Sequence, residues 1–315
     1  MSSNTSPIDA KVSAAADQLA SLEVAEESSD TSTDGAAPPM EGGRVLDPEL
    51  WKPHPPTEEC PVCFMPLPLS ENKSTYWVCC GKLICNGCTA ETARATRVIN
   101  AKRAKKKQPP LDHTCSFCRL VPRPSKSQYE VRIRNGDGKA AFNLAGQYRN
   151  GDADNDIPKD EAKSLELLHH AADNLGYSAA MSKLGSKFVF GLDGAPIDIV
   201  KGRKYSEDAV KVGNVDARFT LGSIEFKEEN IGLAIRHWKL AAAAGCEPSV
   251  RLLWKFFFRG ELEKAELEET LRAHKECCDV MSSEERERCK LLEKADEAGD
   301  DIAPVSYTHL RAHET

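Results

Sequence analysis

The chain has 315 residues, of which 40% are hydrophobic, and carries a formal net charge of -7 at pH 7. That length accommodates two modest domains with ordinary cores, and no apolar run approaches the roughly 18 residues of a membrane span. The opening MSSNTSPIDAKVSAAADQ lacks the basic and apolar regions of a secretory signal, so the expectation is a soluble multidomain protein of the cytosol or nucleus.

The net charge averages over segments of opposite sign. Acidic residues dominate the first 57 positions, whereas Lys and Arg dominate the stretch from Arg94 to Arg134. Residues 1–57 are rich in Ser, Asp, Glu, Ala and Pro and poor in aromatic and branched apolar side chains. Such a segment cannot bury enough surface to offset the entropy of ordering, and it reads as a disordered acidic tail.

The cysteines come next. The chain has 12, which in a small secreted protein would suggest a disulfide scaffold. Here three CxxC pairs, Cys60/Cys63, Cys85/Cys88 and Cys115/Cys118, and the adjacent Cys79 and Cys80 fall within 60 residues of a chain without an export signal. CxxC lets two sulfurs meet one ion from a tight turn, and structural zinc takes four thiolate or imidazole ligands in a tetrahedron. Eight candidate ligands therefore imply two Zn2+ ions, with redox chemistry as the main rival.

The order and gaps over residues 58–120 resemble a RING domain. That resemblance implies that the first and third ligand pairs share one ion and the second and fourth share the other. Cys60, Cys63, Cys85 and Cys88 would hold the first; Cys79, Cys80, Cys115 and Cys118 would hold the second. In the commonest RING a histidine stands where CGKLIC places Lys82, and an ammonium cannot ligate. An all-cysteine variant of the family reads CxCGxxxC, and Cys80, Gly81 and Cys85 keep its spacing, with Cys79 one position closer. Two sulfurs on one zinc lie about 3.8 Å apart, comparable with adjacent α-carbons, but neighbouring side chains of an extended chain point to opposite faces. The backbone must therefore turn at Cys79 and Cys80, and Gly81 tolerates that turn. Lys82 then reads as an ordinary exposed residue.

The resemblance implies a ubiquitin ligase without a covalent catalytic residue, one that binds a ubiquitin-conjugating enzyme and holds charged ubiquitin in a reactive pose. Val62, between the first two ligands, matches the apolar residue that contacts the conjugating enzyme. Arg119, after the last ligand, matches the cation that bridges that enzyme to ubiquitin. Two departures stand against it: Ser116 replaces a proline often found there, and the stretch from Cys88 to Cys115 is long. The alternative reading is a noncatalytic zinc-binding scaffold for protein–protein interaction.

The segment TAETARATRVINAKRAKKKQPP, residues 89–110, is made of helix formers and ends at two prolines, so it predicts a helix directly after Cys88. Its basic end could serve as a nuclear import signal or a phosphate contact; without interleaved aromatics it reads as a solvated face. A nucleic-acid-binding zinc protein using Lys105, Lys106 and Lys107 is the third reading. Residues 121–136, opening with VPRPSKSQ, read as a linker.

From residue 137 to 280 a helical pattern repeats. Leu, an aromatic four residues on and Gly three further recur at Leu144/Tyr148/Gly151, Leu184/Phe188/Gly191 and Leu253/Phe257/Gly260, while at Leu221 the pattern is broken by Glu225 and Glu228. Ala172, Ala209 and Ala241, each followed four residues later by Gly176, Gly213 and Gly245, keep the same phase. Each unit reads as two antiparallel helices with small residues at the close approach, and stacked units bury what one cannot. The landmarks resemble Sel-one-like repeats, relatives of tetratricopeptide repeats. That family implies a scaffold binding a protein substrate or adaptor, with no catalytic residues. The fold expected is mainly α: a small two-zinc cross-brace RING, then an α/α solenoid, after a disordered tail.

His169 and His170 sit on a repeat helix without a nearby Cys or acidic pair in sequence and read as ordinary repeat residues, while Cys277 and Cys278 read as packed or exposed thiols near the end of the last repeat and not as ligands. No phosphate-binding loop, dinucleotide turn, GxSxG or HExxH occurs. Residues 281–304 read as a C-terminal helical segment. The last eleven, VSYTHLRAHET at 305–315, look like one reading frame of a transposase sequencing adapter and are set aside from the fold, His309 and His313 with them.

Overall fold

The structure is a computed structural model that describes residues 47–52, 58–68, 73–121, 125–284 and 286–288. The expectations for residues 1–46 and 289–315 lie outside the described residues. Among the described residues no helix is long and apolar enough to cross a membrane.

The cysteine-rich unit is built on one hairpin. Strand β1 (Ser74–Trp77) pairs antiparallel with β2 (Lys82–Cys85), placing Ser74 opposite Cys85 and Trp77 opposite Lys82. Helix α1 (Asn86–Lys105) starts immediately after Cys85 and carries Lys102, Arg103 and Lys105 in its last turn. A small core gathers Leu67, Trp77 and Ile84 with Cys60, Cys85, Cys88 and Cys115. So few apolar side chains do not by themselves hold a unit of this size.

Residues read from the sequence as part of a linker are instead helical. Helix α2 (Lys126–Arg134) buries Tyr129 to 5% exposure. Tyr129 belongs to one apolar cluster with Tyr76 and Val78 of the hairpin region and Ala140, Leu144 and Tyr148 of the first repeat. Arg132 Nε donates to the Val78 carbonyl, and the Tyr76 hydroxyl donates to Asp137 Oδ2 at 2.7 Å. Asp137 Oδ1 meanwhile caps α3 (Gly138–Asn150) by accepting from the Ala140 amide. One carboxylate thus starts the repeat array and ties it to the hairpin. The basic and small residues around Tyr129 mask this from a reading of composition.

The repeats are helix pairs: α3 with α4 (Glu161–His169), α5 (Ser178–Phe190) with α6 (Ile199–Lys211), α7 (Val215–Lys227) with α8 (Ile231–Ala243), and α9 (Glu247–Phe258) followed by α10 (Lys264–Val280). Asp160, Asp198 and Asn214 each accept from the backbone amide three residues on, which fixes the starts of α4, α6 and α7. After α4 the backbone widens into a π turn at His170–Asn174. Leu144, Leu184, Leu221 and Leu253 are all buried, as are Ala172, Ala209 and Ala241. Gly176, Gly213 and Gly245 have φ of +64°, +86° and +97°, the left-handed region that lets the second helix of a pair end and the next begin.

The third repeat shows what replaces the aromatic that the pattern lacks. Glu225 is 2% exposed and pairs with Arg203, itself 8% exposed; Arg203 Nη2 also meets Glu228 Oε2 at 2.7 Å. Asn230 Nδ2 donates to Glu225 Oε2 at 2.9 Å. Burial opposes the charge on Arg203, yet Glu225 and Glu228 outweigh it and hold the guanidinium above its ordinary range. An ion pair between α6 and α7 therefore occupies the place of a packed ring.

Trp238 of α8 is fully buried against Phe226 and Phe256, and it sits over Gly222 of α7. A Cβ on Gly222 would lie 2.5 Å from Trp238 Nε1 and 2.7 Å from Cδ1. Gly222→Ala adds about 1 kcal/mol of helix propensity, but overpacking costs about 1–3 kcal/mol. Net destabilisation of about 1 kcal/mol is expected by urea denaturation; a more stable variant would show that the two helices have room.

Candidate metal centre

The eight cysteines fall into two groups of four, each with its sulfurs within 4.8 Å of one another: Cys60, Cys63, Cys85 and Cys88, and Cys79, Cys80, Cys115 and Cys118. In the first, Cys60 and Cys88 sulfurs are 3.9 Å apart and Cys63 and Cys85 3.8 Å. In the second, Cys80 lies 3.8 Å from Cys115 and Cys79 3.5 Å from Cys118. All eight are free thiols.

Different elements deliver the four pairs. Cys60–Met65 and Cys115–Leu120 are two copies of one knuckle. In each, the amide of the fifth residue donates to the carbonyl of the first, Phe64 to Cys60 at 2.8 Å and Arg119 to Cys115 at 3.0 Å. The first amide donates to the carbonyl of the sixth residue, 2.9 Å to Met65 and 2.8 Å to Leu120. The fifth residue has positive φ in both, +58° at Phe64 and +61° at Arg119. Non-glycine residues seldom adopt that region, and using it twice curls each CxxC so that both sulfurs face inward. Cys85 ends β2 and Cys88 lies in the first turn of α1.

Cys79 and Cys80 occupy the turn of the hairpin. Both Cys80 and Gly81 amides donate to the Trp77 carbonyl, at 3.2 and 2.7 Å, and Gly81 has φ +70°. The turn lets adjacent side chains reach one group. Lys82 follows with its side chain exposed on β2, while its backbone amide hydrogen-bonds the Cys80 sulfur of the second quartet.

The donor chemistry suits a thiophilic divalent cation. Sulfur separations of 3.5–3.9 Å match those on a tetrahedral zinc, for which Zn–S is about 2.3 Å. Hydrogen bonds from Cys85 and Cys88 hold the Cys60 thiol low, whereas burial pushes Cys63, Cys79 and Cys80 up. Four thiols this close cannot all ionise without a cation among them. Ser116, at the position of the expected proline, is buried and donates to the Cys88 carbonyl at 3.4 Å, bridging the second knuckle to α1.

Sequence reasoning missed a cation beside the first quartet. Arg286, 6% exposed, places Nη2 3.8 Å from Cys63 Sγ and 3.4 Å from the Met65 carbonyl, and Nη1 2.7 Å from the Pro66 carbonyl. Arg288 adds an ion pair to Glu91 of α1 at 2.9 Å. The chain after α10 therefore returns to the first knuckle. No local signal marks the contact of Arg286 with the first knuckle, since Cys63, Met65 and Pro66 lie more than 200 positions away.

The two partner-binding candidates differ in setting. Val62 is half-buried against the cysteine core, and Arg119 is exposed. Beside them stand apolar side chains that the sequence did not single out: Phe64 is 72% exposed, Leu120 58% and Phe117 45%. Large apolar side chains on both knuckles are unusual for a surface with only solvent to meet. Lys105, Lys106 and Lys107 are exposed at the far end of α1.

A scan against protein-family models finds no match, and a search of curated proteins finds none either. Among solved structures, the chain is similar to a protective antigen present in uropathogenic Escherichia coli strains and displaying an SLR fold. The identity is 20% and the TM-score 0.40 over 55% of this chain and 36% of the other, so the match spans about a third of that protein.

Proposed function

We propose that the cysteine unit is a RING-type module holding two Zn2+ ions, and that the chain is a ubiquitin ligase whose helical repeats hold a protein substrate or adaptor. The observation that carries this reading is the interleaving of the two thiol quartets, first pair with third and second with fourth. It accompanies exposed apolar side chains on both knuckles. Zinc, when bound, supplies cross-links between segments that are distant in sequence.

The chain's own residues then position rather than react. Val62 and Phe64 on the first knuckle and Leu120 on the second offer apolar contacts to a ubiquitin-conjugating enzyme. Arg119, exposed at the tight turn that closes the second knuckle, offers its guanidinium to both that enzyme and ubiquitin. Holding a charged conjugating enzyme in a reactive pose accelerates transfer by orientation. The packing of Tyr76 and Val78 on α2 and the first repeat suits the same purpose, because a substrate held by the repeats stays at a defined distance from the module.

The test is autoubiquitination by the intact protein with a panel of conjugating enzymes, alongside metal content. Transfer is expected, with Arg119→Ala slower by about 10- to 100-fold at unchanged zinc content. Two zinc ions per chain with no transfer, and indifference to Arg119→Ala, would reduce the protein to a noncatalytic zinc scaffold.

A further inference from the structure

The region read from sequence as a disordered tail includes a segment that is seated on the repeats. Residues 47–52, Asp-Pro-Glu-Leu-Trp-Lys, contain a single tight helical turn at Pro48–Trp51 and lie across the second and third helix pairs. Leu50 is 5% exposed and packs with Val189 of α5, Val210 of α6 and Leu221 and Ile224 of α7. The Trp51 indole stacks on His237 of α8, with ring centroids 4.5 Å apart at 29°, and the Arg236 guanidinium lies 3.9 Å from its ring centre. Asp47 pairs with Lys211 at the end of α6 at 2.9 Å.

The main chain is also recognised. Arg218 of α7 is 4% exposed and donates to the Leu50 carbonyl at 2.6 Å and to the Lys52 carbonyl at 3.2 Å. Its hydrogen bonds thus go to one main-chain carbonyl within the helical turn and one just after it, both of which carry partial negative charge. A buried guanidinium placed this way selects a short turn whatever protein supplies it.

The fit is incomplete, and the defect has a consequence. Trp51 Nε1 and His237 Nδ1 are both buried without a hydrogen-bond partner. Burial, together with the charges of Arg218, Arg203 and Arg236, pushes His237 down to about 3, so a neutral imidazole faces the indole. Orphaned polar atoms weaken the seating of residues 47–52 and leave room for a competitor.

We infer that the surface formed by α5 to α8 is a peptide-recognition site that residues 47–52 fill in cis, and that its partner is another protein presenting the same chemistry in one helical turn: a carboxylate followed three and four residues later by Leu and Trp. This deepens the reading of the repeats as a protein-holding surface and does not depend on ligase activity. Lys211, Arg218 and Arg236 favour an acidic segment, and the Leu50 pocket and Trp51 shelf fix its register. A tether holding the internal segment at a high local concentration restricts the site to partners that bind well or are themselves locally concentrated.

The test uses a fluorescein-labelled peptide of residues 44–54, RVLDPELWKPH, and fluorescence anisotropy with the full chain. Binding to a Leu50→Ala, Trp51→Ala chain is expected to be about 10- to 100-fold tighter than to the unaltered chain, because the internal competitor is gone. Equal affinity for the two chains, or no binding to either, overturns the inference. Should the double variant lose its helical circular dichroism, a charge swap on the exposed rim replaces it. A peptide carrying Asp47→Lys should bind a Lys211→Glu chain several-fold tighter than the unaltered chain, and no difference overturns the inference. A concentration-dependent dimer of the unaltered chain that excludes the free peptide would also overturn it, by assigning the site to a second copy. Zinc content and ubiquitin transfer of the same variants report on the zinc module alone, which separates the two readings.

Discussion

With two zinc ions bound as proposed, replacing Cys79 with Ser should release one of them from each chain and unfold the second half of the cysteine unit. The sulfur lies 3.5 Å from Cys118 in a quartet completed by Cys80 and Cys115, and serine offers no comparable soft ligand. Structural zinc contributes on the order of 10 kcal/mol to small domains, more than the few apolar side chains around this site supply. The loss should reach the repeats: the hairpin whose turn holds Cys79 also provides Tyr76, which donates to Asp137 at the start of α3. Hydrogen exchange at α2 and the first turn of α3 should therefore rise in the variant. Lys82→Ala is the matched control and should keep both ions, since Lys82 is exposed on β2. If Cys79→Ser retains two ions per chain by elemental analysis, the second quartet is wrongly assigned.

Arg203→Ala should destabilise the repeats by about 3–5 kcal/mol, because it leaves the Glu225 carboxylate at 2% exposure without its cation. The destabilisation should fall on α6 and α7 together, the two helices joined by the pair. The double variant Arg203→Met, Glu225→Leu should fall within about 1 kcal/mol of the unaltered chain or exceed it, since a matched apolar pair removes both desolvation costs. Urea denaturation of the three chains checks this. Equal losses in the single and double variants would show that packing volume, not charge, sets the value of the site.

These sites differ in how far the sequence discloses them. The cysteine spacing exposed all eight thiols, and the phase of Leu, Ala and Gly exposed four repeat units, because both are patterns of residue type at short range. Glu225 and Glu228 stood out in the sequence only as faults in the repeat. Their meaning appears when α6 brings Arg203 across from 22 and 25 positions away. Helix α2 was passed over because a short basic helix with one buried tyrosine has little periodicity to detect, and its partners belong to the hairpin before it and the repeat after it.

The longest-range features were the least visible. Arg218 meets Leu50 across 168 positions, and Arg286 meets Cys63 across 223. Asp-Pro-Glu-Leu-Trp inside an acidic, proline-bearing stretch has the composition of a tail, and its leucine and tryptophan acquire a partner only from helices folded much later in the chain. By itself the sequence determined which residues could hold metal and the phase in which the repeat helices recur, since ligand spacing and helical period act over a few residues. The pairing of the thiols came from the RING resemblance, and the tertiary structure alone decided what the repeats bury in place of a missing ring and that a piece of the tail sits on the array. Those outcomes depend on contacts that exist only once distant elements have packed.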